Sequence, residues 1–266
     1  MMNPLKLSSY LKNVKSLSPL VLCLTNFVTV SDCANALLAI GASPVMSQDP
    51  QDASDLAAIS SSLVLNIGSL NEQSDKVMAA AHQAALKVNK PIVLDPVGAG
   101  ATNRRLKACE TILANKVDLI RANASEVLAL AGLTQAQKGV DSSAAESLEF
   151  IIEQARALSK STKALVVATG ETDAVVSHDR EPLLIKGGTI LLTKLTGTGC
   201  LLSAIVGAYA AANPLDLPFA AAAALRHLAK AGELAEKALE NKTDLGTFKT
   251  LLFDHLAGIH GDDLDG

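Results

Sequence analysis

The sequence predicts an α/β fold in which one mainly parallel sheet carries helices on both faces. Short runs of Val, Leu and Ile alternate along the chain with Ala-rich stretches of helical length. The short runs lack the polar alternation of half-exposed strands, so they read as strands buried on both faces. A hairpin-like pair late in the chain adds short antiparallel strands at one edge. No composition shift divides the 266 residues, so a single domain over 1–266 is expected.

Each element follows from its own residues. Pro19–Leu24 is a buried strand. Asp32–Ile40 is a helix that Gly41 closes. Ser43–Met46 is a short extended piece, and Asp49 caps a helix whose first residue is Pro50. Leu63–Ile67 is a strand, Glu72–Val88 a helix, Pro91–Leu94 a strand, Asn103–Ala114 a helix and Val117–Ile120 a strand. Asn123–Ala131 is a helix, with Asn123 and Glu126 spaced as a capping box and Gly132 as its stop. Thr134–Ser142 is the most loop-like stretch. Ala144–Ser159 is a helix and Ala164–Ala168 a strand. Ala174–Ser177 and Pro182–Ile185 flank His178–Glu181 as a hairpin. Thr189–Lys194 reads as a strand running into the loop Leu195–Cys200. Helices Cys200–Ala212, Pro218–Glu240 and Thr247–Ala257 close the chain.

Composition excludes several classes of function. Aromatic residues are 3% and Trp is absent, which leaves no stacking platform for single-stranded nucleic acid. Net charge is −4 and no basic cluster is longer than Arg104-Arg105, so nucleic acid and anionic membranes are not expected partners. The 4 cysteines lack CxxC spacing and the 5 histidines are scattered, so neither a disulfide framework nor a zinc site is predicted; a reducing cytoplasm fits. Met1–Lys15 is polar and lacks the apolar core of a signal peptide. No apolar stretch reaches the roughly 18 residues of a membrane span.

In such a sheet, ligands bind beyond the carboxyl ends of the strands. Polar or glycine-rich clusters follow the apolar runs there: Thr25-Asn26, Asn66–Gly68, Asp95–Gly100, Arg121–Asn123, Thr169–Glu171 and Thr196–Cys200. Together they predict one shared polar site, whose chemistry suits phosphoryl transfer, where positioning and charge neutralisation outweigh covalent work. Asp95 and Glu126 are candidates for Mg²⁺, which favours one or two carboxylates plus phosphates. The plainer alternatives are a turn residue before Pro96 and a cap for Asn123. Arg121 is a candidate for a bidentate phosphate contact, or else a surface ion pair. Thr169 and Gly170 suit a phosphate or ribose, or a plain turn; Glu171 reads as a solvated edge charge. The loop Gly197-Thr198-Gly199-Cys200 opens a helix whose first amides lack internal partners, an anion cradle. A thiol at that position is expected to have a lowered pKa. Walker, GxGxxG dinucleotide and GxSxG nucleophile motifs are all missing.

These residues resemble the hydroxyethylthiazole kinase family. The resemblance lies in Leu24–Asn26, Gly41–Met46, Leu94–Gly98, Arg121–Glu126, Ala168–Asp173 and Gly197–Cys200, in family order over roughly residues 20 to 210. It implies a three-layer ribokinase-like fold and Mg-ATP-dependent phosphorylation of 4-methyl-5-(2-hydroxyethyl)thiazole in thiamine salvage. It also implies a homotrimer with sites between subunits. Met46 and Gly197 would bind the thiazole; Arg121, Thr169, Asn26, Thr198 and Gly199 would line the ATP site; Asp95 and Glu126 would serve Mg²⁺ and the phosphates. Cys200 stands where most ribokinase-like enzymes carry an Asp base, so base and positioning roles both remain open for it. Met46 also suits a plain core filler. A kinase for hydroxymethylpyrimidine or a vitamin B6 compound, a nucleotide-dependent hydrate dehydratase and a non-catalytic trimer are the alternatives. The first two would be expected to carry Asp at position 200.

Overall fold

Side chains alternate across each strand, and the buried strands divide their residues between two cores. The structure is a computed structural model describing residues 6–133 and 147–265. Val21 and Cys23 of β1 (Leu20–Leu24), Val64 of β3 (Ser62–Asn66) and Val93 of β4 (Ile92–Asp95) point to one face. There they meet α1 (Ser8–Leu17), α2 (Val30–Ala39), α8 (Thr198–Ala212), α9 (Leu217–Ala238) and α10 (Leu245–Gly258). Leu22, Leu24, Leu63, Leu65, Ile92 and Leu94 point to the other face. That core is covered by α3 (Pro50–Ile59), α4 (Glu72–Lys87), α5 (Asn103–Leu113), α6 (Ala124–Leu130) and α7 (Leu148–Thr162). The result is the predicted three layers.

Among the described residues, eight strands run in the order β2-β1-β3-β4-β5-β6-β7-β8. β2 (Ser43–Val45), β5 (Leu119–Asn123) and β6 (Leu165–Thr169) join β1, β3 and β4 in parallel pairing. β7 (Thr172–Val176) and β8 (Leu183–Lys186) extend that sheet antiparallel at one edge, as the hairpin reading required. Because β1 lies between β2 and β3, the winding direction reverses there. That switch point is where an open α/β sheet leaves a crevice.

Two expectations are corrected. Thr189–Lys194 is not a strand: Ile190–Lys194 forms a short 3-10 helix, with Thr189 Oγ1 accepting from Leu191 N at 3.1 Å. The two preceding glycines have left-handed φ values, 124° at Gly187 and 88° at Gly188, so the chain leaves the sheet before this run. Helix α1 begins within the Met1–Lys15 stretch read as merely polar and runs to Leu17. Leu7, Leu11 and Val14 bury one stripe at helical spacing, which is the signal that reading passed over. The loop expected at Thr134–Ser142 and the first residues of the helix expected from Ala144 lie outside the described residues.

On the helix side of the first core, Tyr209 and His227 are fully buried and joined at 2.7 Å between Oη and Nδ1; Nε2 of His227 lies 3.0 Å from the carbonyl of Leu256. This ties α8, α9 and α10 together. Burial, aided by the charge of Lys15, lowers the His227 pKa from 6.5 to about 4, against the pull of the Leu256 carbonyl. The folded protein keeps this imidazole neutral where the unfolded chain would protonate it. Its contribution is therefore whole above pH 6.5 and is lost as pH falls towards 4. We expect roughly 3 kcal/mol to go over that window. Urea unfolding at pH 7 and pH 4.5 checks this: the parent should lose more stability than His227→Gln, and equal losses would exonerate the imidazole.

Candidate active site

The strand-end clusters do converge on one rim. Parallel pairing sets Asn66 of β3 opposite Asp95 of β4 and Asn123 of β5 opposite Thr169 of β6. The N-terminus of α8 faces this rim. Its cap residue Gly197 has φ 88° and gives no side-chain cap, so the first amides of the helix stay open. The Thr198 hydroxyl is spent on the Leu192 carbonyl at 2.9 Å.

Asp95 is wholly buried. Its Oδ2 accepts from Asn66 Nδ2 at 2.5 Å, while its Oδ1 has no hydrogen-bond partner and lies 3.8 Å from Arg121 Nη1. Burial raises its pKa from 3.8 to about 6; the Arg121 charge pulls it down and the Glu126 charge pushes it up. Arg121 donates from Nη2 to Thr169 Oγ1 at 2.8 Å, and its buried Nε is unpartnered. A buried carboxylate oxygen and a buried guanidinium Nε, each without a hydrogen-bond partner, are costly in a resting fold. Both atoms suit a ligand carrying phosphate and cation.

Beside these groups opens a cleft of about 710 Å³. Arg121, Asn123, Thr169, Gly170, Thr198 and Gly199 line its polar end, and Ile190, Leu192, Leu225, Leu228 and Ala229 its apolar end. Of the residues expected around ATP, four line this cleft together. Asn26 does not: it sits at the β1–β3 switch point, its Nδ2 donating to Asn66 Oδ1 at 3.1 Å and to Cys200 Sγ at 3.3 Å. A smaller recess of about 170 Å³ runs past Thr25, Phe27, Ser47, Gln48 and Asn66. Met46, half-buried beyond the edge strand β2, packs against the first core and lines neither space. Glu171 is exposed at the mouth of the cleft.

Glu126 takes the role the capping-box spacing gave it. Its Oε2 accepts from Asn123 N at 2.9 Å while Asn123 Oδ1 accepts from Glu126 N at 3.0 Å. Its Oε1 also accepts from Gly98 N at 2.9 Å, tying the loop after β4 to α6. Both oxygens are engaged, which leaves Asp95 with the more available acceptor. Arg105, which carried no signal in the sequence, fixes the same rim by donating to the carbonyls of Val97 and Gly68 at 2.6 and 2.9 Å.

Cys200 corrects one expectation. It is buried in the first turn of α8, 8% exposed, and its pKa is pushed up to about 11, not lowered. Burial is the main cause and the Asp95 charge adds to it; the Asn66 and Thr29 hydrogen bonds act in the opposite direction. A helix start lowers a thiol pKa only where the thiol stays solvated and clear of carboxylates, and Cys200 is neither.

Gly199 shows how tightly the rim is packed. A Cβ there would lie 2.5 Å from Arg121 Nη1 and 3.0 Å from Cζ. Gly199→Ala should push the guanidinium off Thr169 and weaken nucleotide binding, raising the KM for ATP about tenfold, the cost of one charge-assisted contact. Steady-state kinetics with ATP varied checks it, and an unchanged KM would mean that Arg121 does not touch the nucleotide.

Comparison with known proteins gives the kinship of the chain. The model of the "Hydroxyethylthiazole kinase family" matches residues 11–262. The chain is 38% identical to the hydroxyethylthiazole kinase of Clostridium beijerinckii, covering 96% of this chain and 93% of that one. It is 42% identical to that of Rhizobium etli, covering 93% of each. Among solved structures, hydroxyethylthiazole kinase from Pyrococcus horikoshii superposes with a TM-score of 0.85 at 33% identity, over 97% of this chain and 94% of that one. A pyridoxal kinase from Staphylococcus aureus, at a TM-score of 0.61 and 16% identity, shares the ribokinase-like fold alone. A family match across almost the whole chain, with identities near 40%, settles the kinship: this chain belongs to the hydroxyethylthiazole kinase family.

Proposed function

We propose that this enzyme transfers the γ-phosphoryl group of ATP to the side-chain hydroxyl of 4-methyl-5-(2-hydroxyethyl)thiazole. The observation that carries the reading is one rim holding two adjoining parts. One is the cleft lined by Arg121, Thr169 and the open start of α8. The other is the buried cluster of Asp95, Asn66, Asn26 and Cys200 at the switch point. The cleft suits ATP, with its phosphates towards Arg121 and the helix amides. The alcohol then belongs beside Cys200, with Gly197 as floor and Met46 contributing from just beyond the edge strand. Thr198 and Gly199 act through their backbone.

Among the described residues no group of three or more His, Cys, Asp and Glu side chains forms a metal cage. Mg²⁺ fits such a site when phosphates supply most of its ligands. Asp95 would hold it through the unpartnered Oδ1, with Glu126 nearby contributing charge; both its oxygens already cap backbone amides. When bound, the ion neutralises phosphate charge. The chain's own residues orient the nucleotide, hold the alcohol and exclude water.

We also propose a homotrimer that shares its sites between subunits. Phe27, Val28 and Val30 are 77%, 56% and 37% exposed in the segment after β1, next to the recess that Phe27 itself lines. An apolar patch there suits cover by a second copy. The cytoplasm is the proposed location: the four cysteines are free and buried, and no described helix is long and apolar enough to cross a membrane.

The test is direct. Purified protein with Mg-ATP and the thiazole alcohol should give the thiazole phosphate by mass spectrometry, and light scattering should report three chains of 27.5 kDa. Turnover of hydroxymethylpyrimidine or pyridoxal in its place would overturn the substrate, and a fully active monomer would overturn the shared site.

A further inference from the structure

We propose that Asn66, at the end of β3, is a positioning residue for phosphoryl transfer: its side-chain amide holds the Asp95 carboxylate and the Cys200 thiol in fixed relation. The role rests on the kinase reading above. Asn66 is 6% exposed, and its amide is fully committed. Oδ1 accepts from Gly68 N at 2.9 Å and from Asn26 Nδ2 at 3.1 Å. A backbone N–H can only donate, so the atom facing Gly68 must be the oxygen, which settles the orientation of the amide. Nδ2 then faces Asp95 Oδ2 at 2.5 Å and Cys200 Sγ at 3.2 Å, one hydrogen for each. Asn26 is oriented by the same logic: its Oδ1 accepts from Val28 N at 3.1 Å, and its Nδ2 turns to Asn66 and Cys200.

The consequence falls on the reacting side. With Oδ2 tied to Asn66, Asp95 cannot rotate freely, and its unpartnered Oδ1 is held towards Arg121. The sulfur is held by two amides, one from the loop after β1 and one from the end of β3. The chain also leaves room for this pair. At Gly68 a Cβ would lie 2.8 Å from Asn26 Nδ2 and 2.9 Å from Asn66 Oδ1. Groups held by packed partners before substrate arrives need no reorganisation during the reaction.

Steady-state kinetics and thermal melts of Asn66→Ala, Asn66→Ser, Cys200→Ala and the Asn66→Ala/Cys200→Ala double variant test the role. Asn66→Ala should lower kcat about 10²-fold, the loss typical of one preorganised donor, with the KM for ATP and for the alcohol changed less than about threefold. Asn66→Ser is the milder change and its short hydroxyl cannot span both partners, so it should show the same split while staying folded at the assay temperature. The double variant should lose less than the product of the single losses, because both changes break one unit. A folded Asn66→Ser with kcat within about threefold of the parent overturns the role. So does a loss that appears equally in KM and melting temperature and multiplies independently with Cys200→Ala. In both cases the parent remains active and the kinase reading stands. A parent inactive on the thiazole alcohol overturns that reading, and this role with it.

Discussion

Asp95→Asn should lower kcat by at least about 10²-fold while leaving the fold as stable as the parent or more so. The two halves of this expectation have one cause. A carboxylate wholly shielded from water, with one oxygen unpartnered, is held there at a cost. Its pKa is raised from 3.8 to about 6, so the sign is clear. Below pH 3.8 both folded and unfolded chains are protonated and nothing is lost. Between 3.8 and 6 the unfolded chain ionises first and stability falls. Above 6 the loss is complete, at roughly 3 kcal/mol. Asparagine removes the buried charge, keeps an acceptor for Asn66, and gives up the long 3.8 Å pairing with Arg121. It also removes the anionic oxygen available to cation and phosphate. Coupled ADP-release kinetics and urea unfolding at pH 7.5 measure the two halves separately. Near-parental turnover would remove Asp95 from the chemistry, and a marked loss of stability would make it a structural anchor.

How far the sequence spoke for itself depended on the range of the signal. Buried strands were legible because Val, Leu and Ile runs between turn residues have few alternatives, and the parallel core followed from their alternation with helices. Caps were legible too: Asp49 accepts from the amides of Gln51 and Asp52 at 2.9 Å, and Asn123 pairs reciprocally with Glu126. Thr189–Lys194 failed because its apolar residues suit a strand, while the two left-handed glycines before it turn the chain away. The rim itself could be read from strand ends, but not which members would touch. That Asn26 and Asn66 converge on Cys200 across 174 and 134 residues follows from the strand order β2-β1-β3, which no local pattern encodes. Arg105 reads as an ordinary surface cation until the loops after β3 and β4 fold over it.

Cys200 is where local reasoning and tertiary environment disagree most, and its variants should show it. A thiol whose pKa lies at about 11 is almost wholly protonated at neutral pH, so the parent enzyme draws little general-base assistance from it. Cys200→Ala should therefore lose less than about 10²-fold in kcat, since a loose phosphoryl transition state makes modest demands on a base. Cys200→Asp should be at least as active as the parent. The amide hydrogens of Asn26 and Asn66 already point at this position, at 3.3 and 3.2 Å from the sulfur, and would donate equally well to a carboxylate oxygen. Asn66 presents its second hydrogen to Asp95, so each acceptor keeps a donor of its own. An ionised acceptor would then be present at a pH where the thiol offers none. Rates of parent, Cys200→Ala and Cys200→Asp from pH 6 to pH 9.5 decide the matter. In the parent the thiol should add no acid limb of its own, so parent and Cys200→Ala profiles should run parallel. A limb near neutrality that vanishes in Cys200→Ala, together with a loss above about 10³-fold, would mean that bound substrate lowers the thiol into the working range and that Cys200 is a true base.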